Sequence, residues 1–145
     1  MAGASGMAGS AITRALIAAG YGDSKNGGSL LTPNHRELDL LDTASVEDWF
    51  SKYRPSVVVL AAAKVGGILA NNTFPTDFLL NNLKIQTNVI ETAWKFDVRR
   101  FLFLGSSCMY PKDAMQPIKE DSLLTGKFES TNEWYARSKI AFLEF

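Results

Sequence analysis

Tyr135 and Lys139 stand four residues apart in "YARSK", a spacing that sets two side chains on one face of a helix, one turn from each other. A phenol titrates near about 10, too high for easy proton exchange at neutral pH, and an adjacent ammonium stabilises the phenolate and lowers that value. The pair therefore reads as a proton donor with its electrostatic partner. Any helix can carry YxxxK on a solvated face, so the pair takes its meaning from its company. Part of that company is "GSSCMYP", residues 105–111, where Ser106 follows the apolar run "RFLFL" and is followed two residues later by Cys108, the only cysteine. A serine just beyond a strand of an open parallel sheet lies at the carboxyl edge where ligands bind. Its hydroxyl there would orient a substrate carbonyl; the plain alternative is a serine that satisfies a turn.

A third element stands at the other end. "GASGMAG" places Gly3, Gly6 and Gly9 three residues apart immediately before a helical stretch. Missing side chains let the backbone turn tightly and let a pyrophosphate approach the helix N-terminus, where free amides and the dipole favour negative charge. Glycines also serve ordinary turns. A nucleotide-binding sheet that selects NAD usually ends its second strand on a carboxylate for the ribose 2′-hydroxyl. Here that strand runs into Thr32, Pro33, Asn34, His35 and Arg36, with no carboxylate before Glu37. Arg36 or His35 can pair with a 2′-phosphate, which favours NADP(H); the alternative is a solvated loop. In "ELDLLD", Asp39 and Leu40 are expected beside the adenine.

These residues need a scaffold, and apolar runs of β-branched type alternate with helical periodicity along the chain, the pattern of βαβ units and a parallel sheet. The spacing predicts a helix over 10–19 stopped by Gly20 and Gly22, a short strand over 29–32, and a helix over 42–52 with Val46, Trp49 and Phe50 inward. A buried strand follows at "SVVVLAAA" after Pro55. A long helix is expected over 75–96, facing inward through Phe78, Leu79, Leu83, Ile85, Val89, Ile90 and Ala93. The next buried strand is 99–105, Pro111 and Pro117 mark a loop, and Ser130 with Glu133 has capping-box spacing for a last helix running to the end. The fold class is thus α/β, a Rossmann-like doubly wound parallel sheet.

The totals bound the partners. One domain suits 145 residues. Fifteen basic residues balance fifteen acidic ones without a basic block, which argues against nucleic acid and anionic membrane and for a small molecule. The longest apolar run, residues 57–63, is far below the roughly 18 residues of a membrane span. The Ala- and Gly-rich start has no basic region and Arg14 interrupts it, so no targeting segment is read. A single cysteine fits a reducing compartment, here the cytoplasm. No metal site is expected.

Glycine turn, strand-end serine and YxxxK in this order resemble the extended short-chain dehydrogenase/reductase family, of which GxxGxxG is also the glycine spacing. The similarity runs from residue 3 to 145, and "LAAAKVGGILANN", "FLGSSCMYPK" and "TNEWYARSK" are its more diagnostic pieces. The "AAAKVGG" and "SSCMYP" stretches point to the branch that inverts C3 and C5 of GDP-4-keto-6-deoxy-D-mannose and then reduces C4 with NADPH. The resemblance implies that Gly3, Ser5, Gly6, Met7, Gly9, Arg36, Asp39, Leu40, Ala61, Ala62, Ala63, Tyr135 and Lys139 hold NADP(H). It implies that Ser106 and Tyr135 hold the C4 oxygen, that Lys139 lowers the tyrosine pKa, and that Cys108 moves protons in the inversions. A thiol with a reference value of about 8.5 serves as such a base when its surroundings lower it; the plain alternative is a small buried apolar residue. Lys64, Asn81 and Asn82 fall in matching segments without an assigned role.

Two departures qualify the resemblance. The family's partner acid is a histidine beyond the YxxxK helix, and the only histidine here, His35, cannot be that acid. The first strand and the C-terminal sugar-binding portion are also expected to be absent, so the chain reads as an N-terminal portion incomplete at both ends, with a gap where a central strand belongs. Two other readings stay open: a nucleotide-sugar 4-epimerase or dehydratase, and a non-catalytic nucleotide-binding module. In any of these the helix over 75–96 is expected to pair with its copy in a homodimer.

Overall fold

The computed structural model describes residues 1–23, 25 and 28–143. Contacts divide the chain into two compact units: Met1–Ala63 with Thr87–Leu104, and Lys64–Gln86 with the chain from Gly105 onward.

The first unit holds helix α1 (Met7–Ala18), helix α2 (Thr43–Tyr53), strand β1 (Val57–Leu60), strand β2 (Arg100–Phe103) and the second half of helix α4 (Pro75–Lys95). β1 and β2 pair in parallel, Val57 opposite Arg100 through Leu60 opposite Phe103. Its core is Leu38, Val46, Phe50, Val58, Leu60, Val89 and Ala93, with Leu60 and Val46 wholly enclosed. α2 starts at Asp42, whose carboxylate accepts the Ala44 amide at 3.0 Å, a side-chain N-cap. It ends at Arg54 in the left-handed region, φ 43°, with the guanidinium 4.8 Å from the centre of the Phe96 ring. Asn88 ties α4 to the start of α2, donating to the Leu40 carbonyl at 2.9 Å and accepting from the Thr43 hydroxyl at 3.0 Å.

The expected strand over 29–32 carries no ladder. A strand exists through its neighbours' hydrogen bonds, and no such ladder reaches this stretch among the described residues. Ala2 bridges to Leu60 in parallel, donating to the Val59 carbonyl at 2.9 Å and accepting the Ala61 amide at 3.0 Å. The Met1 ammonium donates to the Leu31 carbonyl at 2.8 Å. The two residues thus fill part of the expected gap. The buried-strand expectation is also corrected in part: β1 and β2 alternate, and Val57 and Leu102 stay about half exposed.

The second unit holds helix α3 (Ile68–Thr73), the first half of α4, two 3₁₀ turns at Ser107–Met109 and Glu120–Ser122, and helix α5 (Glu133–Ile140). Its buried apolar residues are Phe78, Met109 and Ala136. The capping box at Ser130 is not formed. α5 begins at Glu133, whose carboxylate reaches forward to Arg137 at 2.6 and 2.9 Å instead of back. Regular helix stops at Ile140, and residues 144 and 145 of the expected last helix lie outside the described residues. Along α4 the buried positions are Phe78, Asn82, Gln86, Asn88, Val89, Thr92 and Ala93, whereas Leu79, Leu83, Ile85 and Ile90 are half-buried. Inward positions are therefore partly polar, which an apolar-periodicity argument reads one step out of phase.

Among the described residues no helix is long and apolar enough to cross a membrane, and no group of three or more His, Cys, Asp or Glu residues could hold a metal ion.

Candidate active site

The glycine turn is built by contact, in addition to flexibility. Gly3 has φ +85°, and a β-carbon on it would lie 2.6 Å from the Ala62 nitrogen and 2.8 Å from the Ala61 carbonyl carbon. A β-carbon on Gly9 would lie 1.9 Å from the Gly3 oxygen, so both positions exclude any side chain without backbone movement. Gly3 thus presses on the segment after β1, and the first turn of α1 presses on Gly3. Gly6 is the N-cap of α1, and the first turn carries no acidic residue. Ser5 is exposed and Met7 is 92% exposed. The first amides of a helix have no intrahelical partner, so the turn offers donors and positive dipole with no competing carboxylate. That fits a pyrophosphate.

Arg36 is exposed on a tight turn at 34–38. The Asn34 side chain accepts the Arg36 and Glu37 amides at 2.8 and 3.2 Å, and Glu37 accepts the Asn34 amide at 2.8 Å. Glu37 is therefore engaged in the turn that displays Arg36. His35 and Asp39 approach to 3.9 Å, and the Asp39 carboxylate accepts the Leu41 amide at 3.0 Å, within its own turn. Leu40 is half-buried. Ala61, Ala62 and Ala63 follow β1, the first two as the surface against which Gly3 packs.

The second unit brings Ser106, Cys108, Tyr135 and Lys139 together on two elements. Ser106 is extended (φ −155°, ψ 148°), caps the 3₁₀ turn, and accepts the Cys108 amide on its Oγ at 3.3 Å. That turn packs against α5, which carries Tyr135 and Lys139 one turn apart, the lysine Nζ 5.9 Å from the centre of the tyrosine ring. Burial raises the Tyr135 pKa above its ordinary value. A side-chain hydrogen bond with Ser106 opposes the rise, and charge on Cys108 adds to it. The phenol therefore senses both the serine and the thiol. Lys139 is 2% exposed, and burial lowers its pKa to about 8. Where Lys139 is expected to lower the tyrosine pKa, the phenol is on balance shifted up, because its burial outweighs the groups that stabilise a phenolate.

Sequence reasoning left Lys64, Asn81 and Asn82 without roles. Asn82, completely buried, accepts the Lys64 amide at 2.7 Å and donates to the Lys64 carbonyl at 3.0 Å and the Phe78 carbonyl at 2.7 Å. Leaving a buried polar group unpaired costs about 1–3 kcal/mol, whereas an exposed ion pair such as Lys64 with Asp77, at 3.3 Å, contributes about 0–1 kcal/mol. The asparagine clamp, more than the ion pair, fixes this segment. Asn132, also missed, donates to the Cys108 sulfur at 3.1 Å. The signal available for Asn82 was its position four residues after Phe78, on the inward stripe. Nothing local announced Asn132.

The sequence pattern of the NAD dependent epimerase/dehydratase family matches residues 1–145. The chain belongs to that family. It is 55% identical over 141 residues to GDP-L-fucose synthase 1 of Arabidopsis thaliana, covering 97% of this chain and 42% of that protein; the chain thus spans less than half the length of this relative. Among solved structures it is similar to DdhaC, at 45% identity and TM-score 0.91, covering 99% of this chain and 40% of the other. It is also similar to MlghC, a GDP-mannoheptose C4 reductase from Campylobacter jejuni with NADP bound, at 34% identity and TM-score 0.87, covering 97% and 42%. The family and these neighbours bear out the Rossmann-like α/β reading and the resemblance.

The buried ammonium yields a pH prediction. Between pH 8 and 10.5 the unfolded chain keeps a proton on Lys139 that the folded chain has lost, so folding stability gains from this group as pH rises through that window. Lys139→Met is expected to remove a gain on the order of 3 kcal/mol, seen as wild type gaining on the variant in urea denaturation between pH 8 and 10. Parallel pH profiles for the two proteins would contradict the burial.

Proposed function

We propose that this chain is the coenzyme-binding portion of an NADPH-dependent epimerase-reductase that converts GDP-4-keto-6-deoxy-D-mannose to GDP-L-fucose. The observation that carries the proposal is Cys108 in one cluster with Ser106 and Tyr135. Reduction of a ketone needs the serine and the tyrosine; inversion beside that ketone also needs a base. The similarity to GDP-L-fucose synthase 1 supports the reading.

The glycine turn, through Gly3, Ser5, Gly6, Met7 and Gly9, would hold the coenzyme pyrophosphate. Arg36 would hold the 2′-phosphate, Asp39 and Leu40 would flank the adenine, Ala61, Ala62 and Ala63 would line the dinucleotide, and Tyr135 and Lys139 would hold the nicotinamide ribose. The NADP-bound MlghC supports this choice of coenzyme. Bound NADPH supplies the hydride for C4.

The chain's own groups do the rest. Ser106 and Tyr135 donate hydrogen bonds to the C4 oxygen, which acidifies the hydrogens at C3 and C5 and stabilises the oxyanion formed when one is removed. Cys108 takes that proton. Its return from the opposite face, which completes each inversion, needs an acid, the role that the resemblance gives to a histidine beyond the YxxxK helix. Tyr135, kept protonated by burial, gives its proton to the C4 alkoxide, and the Lys139 ammonium stabilises the phenolate left behind. A cytoplasmic location belongs to the same proposal, and the lone thiol fits a reducing compartment.

The C4 reductase neighbour favours a second reading, reduction without inversion. Tyr135→Phe is expected to lower kcat for NADPH oxidation by about 10²–10⁴ with NADPH affinity within a few-fold of wild type; unchanged turnover rejects the proton-donor role. Cys108→Ser separates the two readings. Lost exchange of the C3 and C5 protons into solvent supports inversion, and retained exchange rejects Cys108 as the base.

The second copy of this chain is the proposed protein partner, docked through α4. Leu80, Thr87 and Trp94 lie seven residues apart on its exposed side, and Trp94 is 78% exposed. Sedimentation should show a dimer that Trp94→Glu converts to monomer. A monomeric wild type would remove this part of the proposal.

A further inference from the structure

Asn132 occupies the N-cap position of α5, yet its side chain caps nothing in the helix. An asparagine there ordinarily accepts a hydrogen bond from an amide of the first turn. Here the Nδ2 group donates to the Cys108 sulfur at 3.1 Å, a short approach for sulfur, and the Oδ1 atom is buried without a hydrogen-bond partner. The side chain has given up a stabilising cap and left an acceptor unpaired in order to face the thiol.

We propose that Asn132 is a positioning residue for Cys108, fixing the direction of the sulfur and donating to it whenever its proton is gone. The inference rests on the reading of Cys108 as the base in the inversions. A primary amide suits a group that must gain and lose a proton. Its Nδ2 donates to a thiolate, and a half-turn about the last side-chain bond would bring Oδ1 to accept from a thiol. The Asn132 amide is a donor seen on the sulfur among the described residues, and its neighbours are engaged as follows. The Ser106 hydroxyl accepts the Cys108 amide. Tyr135, on α5, is coupled to the sulfur by charge, and Lys139, one turn further along, lies over the tyrosine ring. Glu129, three residues before Asn132, is directed to the Thr131 amide at 2.8 Å and to the Thr131 hydroxyl.

The single thiol in this chain reports on its own environment. The test is iodoacetamide alkylation across pH, read by mass spectrometry on the peptide that carries Cys108. Asn132→Asp keeps the size of the side chain and is an equally good cap, but it removes the donor and sets a carboxylate beside the sulfur. The pH of half-maximal alkylation is expected to rise by about one unit or more in Asn132→Asp and by less in Asn132→Ala. A purely structural role predicts that Asn132→Ala, which removes the donor and adds no charge, alkylates as wild type does, and that result overturns the proposal. Should Asn132→Ala fail to fold, Asn132→Gly, which weakens a cap only slightly, decides in its place. The two failures are distinguishable. An unshifted alkylation profile with proton exchange lost in Cys108→Ser removes the positioning role and leaves the base. A shifted profile with exchange retained in Cys108→Ser keeps the donor to the sulfur and removes its use in inversion, and with it the role assigned to Asn132 in that reaction.

Discussion

Met109 seated over Gly105 is the contact on which the candidate active site depends. The methionine is 7% exposed, and a β-carbon at Gly105 would come within 2.8 Å of its terminal methyl. With the space beside Gly105 filled in this way, the chain leaves β2, runs extended through Ser106 and closes the short turn that carries Cys108. The turn packs on α5, where Ala136 and Ser138 are completely enclosed. The serine hydroxyl, the thiol and the phenol then share one neighbourhood without a dedicated hydrogen bond joining all three.

Desolvation sets the charges in that neighbourhood. Burial pushes Tyr135 up and Lys139 down, each toward its neutral form. A phenol held protonated is a donor at neutral pH, and a lysine near pH 8 responds to any negative charge brought beside it. A negative Cys108 makes Tyr135 still harder to ionise.

Much of this was legible in local spacing. YxxxK, the three glycines and the serine after an apolar run are short patterns whose geometry follows from helix and turn, and the structure builds them from the elements expected. α1, α2 and α4 begin or end within a few residues of their periodic stretches. What escaped depends on contacts between distant residues. The stretch 29–32 has strand composition but carries no ladder, and a bond from the Met1 ammonium to the Leu31 carbonyl is what ties it down. Ser130 and Glu133 have capping spacing, yet Glu133 finds Arg137. Asn82 and Asn132 are polar residues whose partners, Lys64 and Cys108, lie 18 and 24 positions away, and α3 is too short for periodicity to reveal. The direction of the Tyr135 shift was missed because an adjacent ammonium was weighed without the burial of both groups.

The claim beneath all of this is that one carbonyl can be held by Ser106 and Tyr135 while Cys108 faces the neighbouring carbon. A crystal structure of the protein with NADP and the 4-keto sugar nucleotide tests it most directly. The account predicts the C4 oxygen within hydrogen-bond reach, about 2.6–3.2 Å, of both Ser106 Oγ and Tyr135 Oη, with Cys108 Sγ closest to C3 or C5. A sugar bound with its C4 oxygen away from the two hydroxyls, or with the thiol turned from the ring, would contradict it.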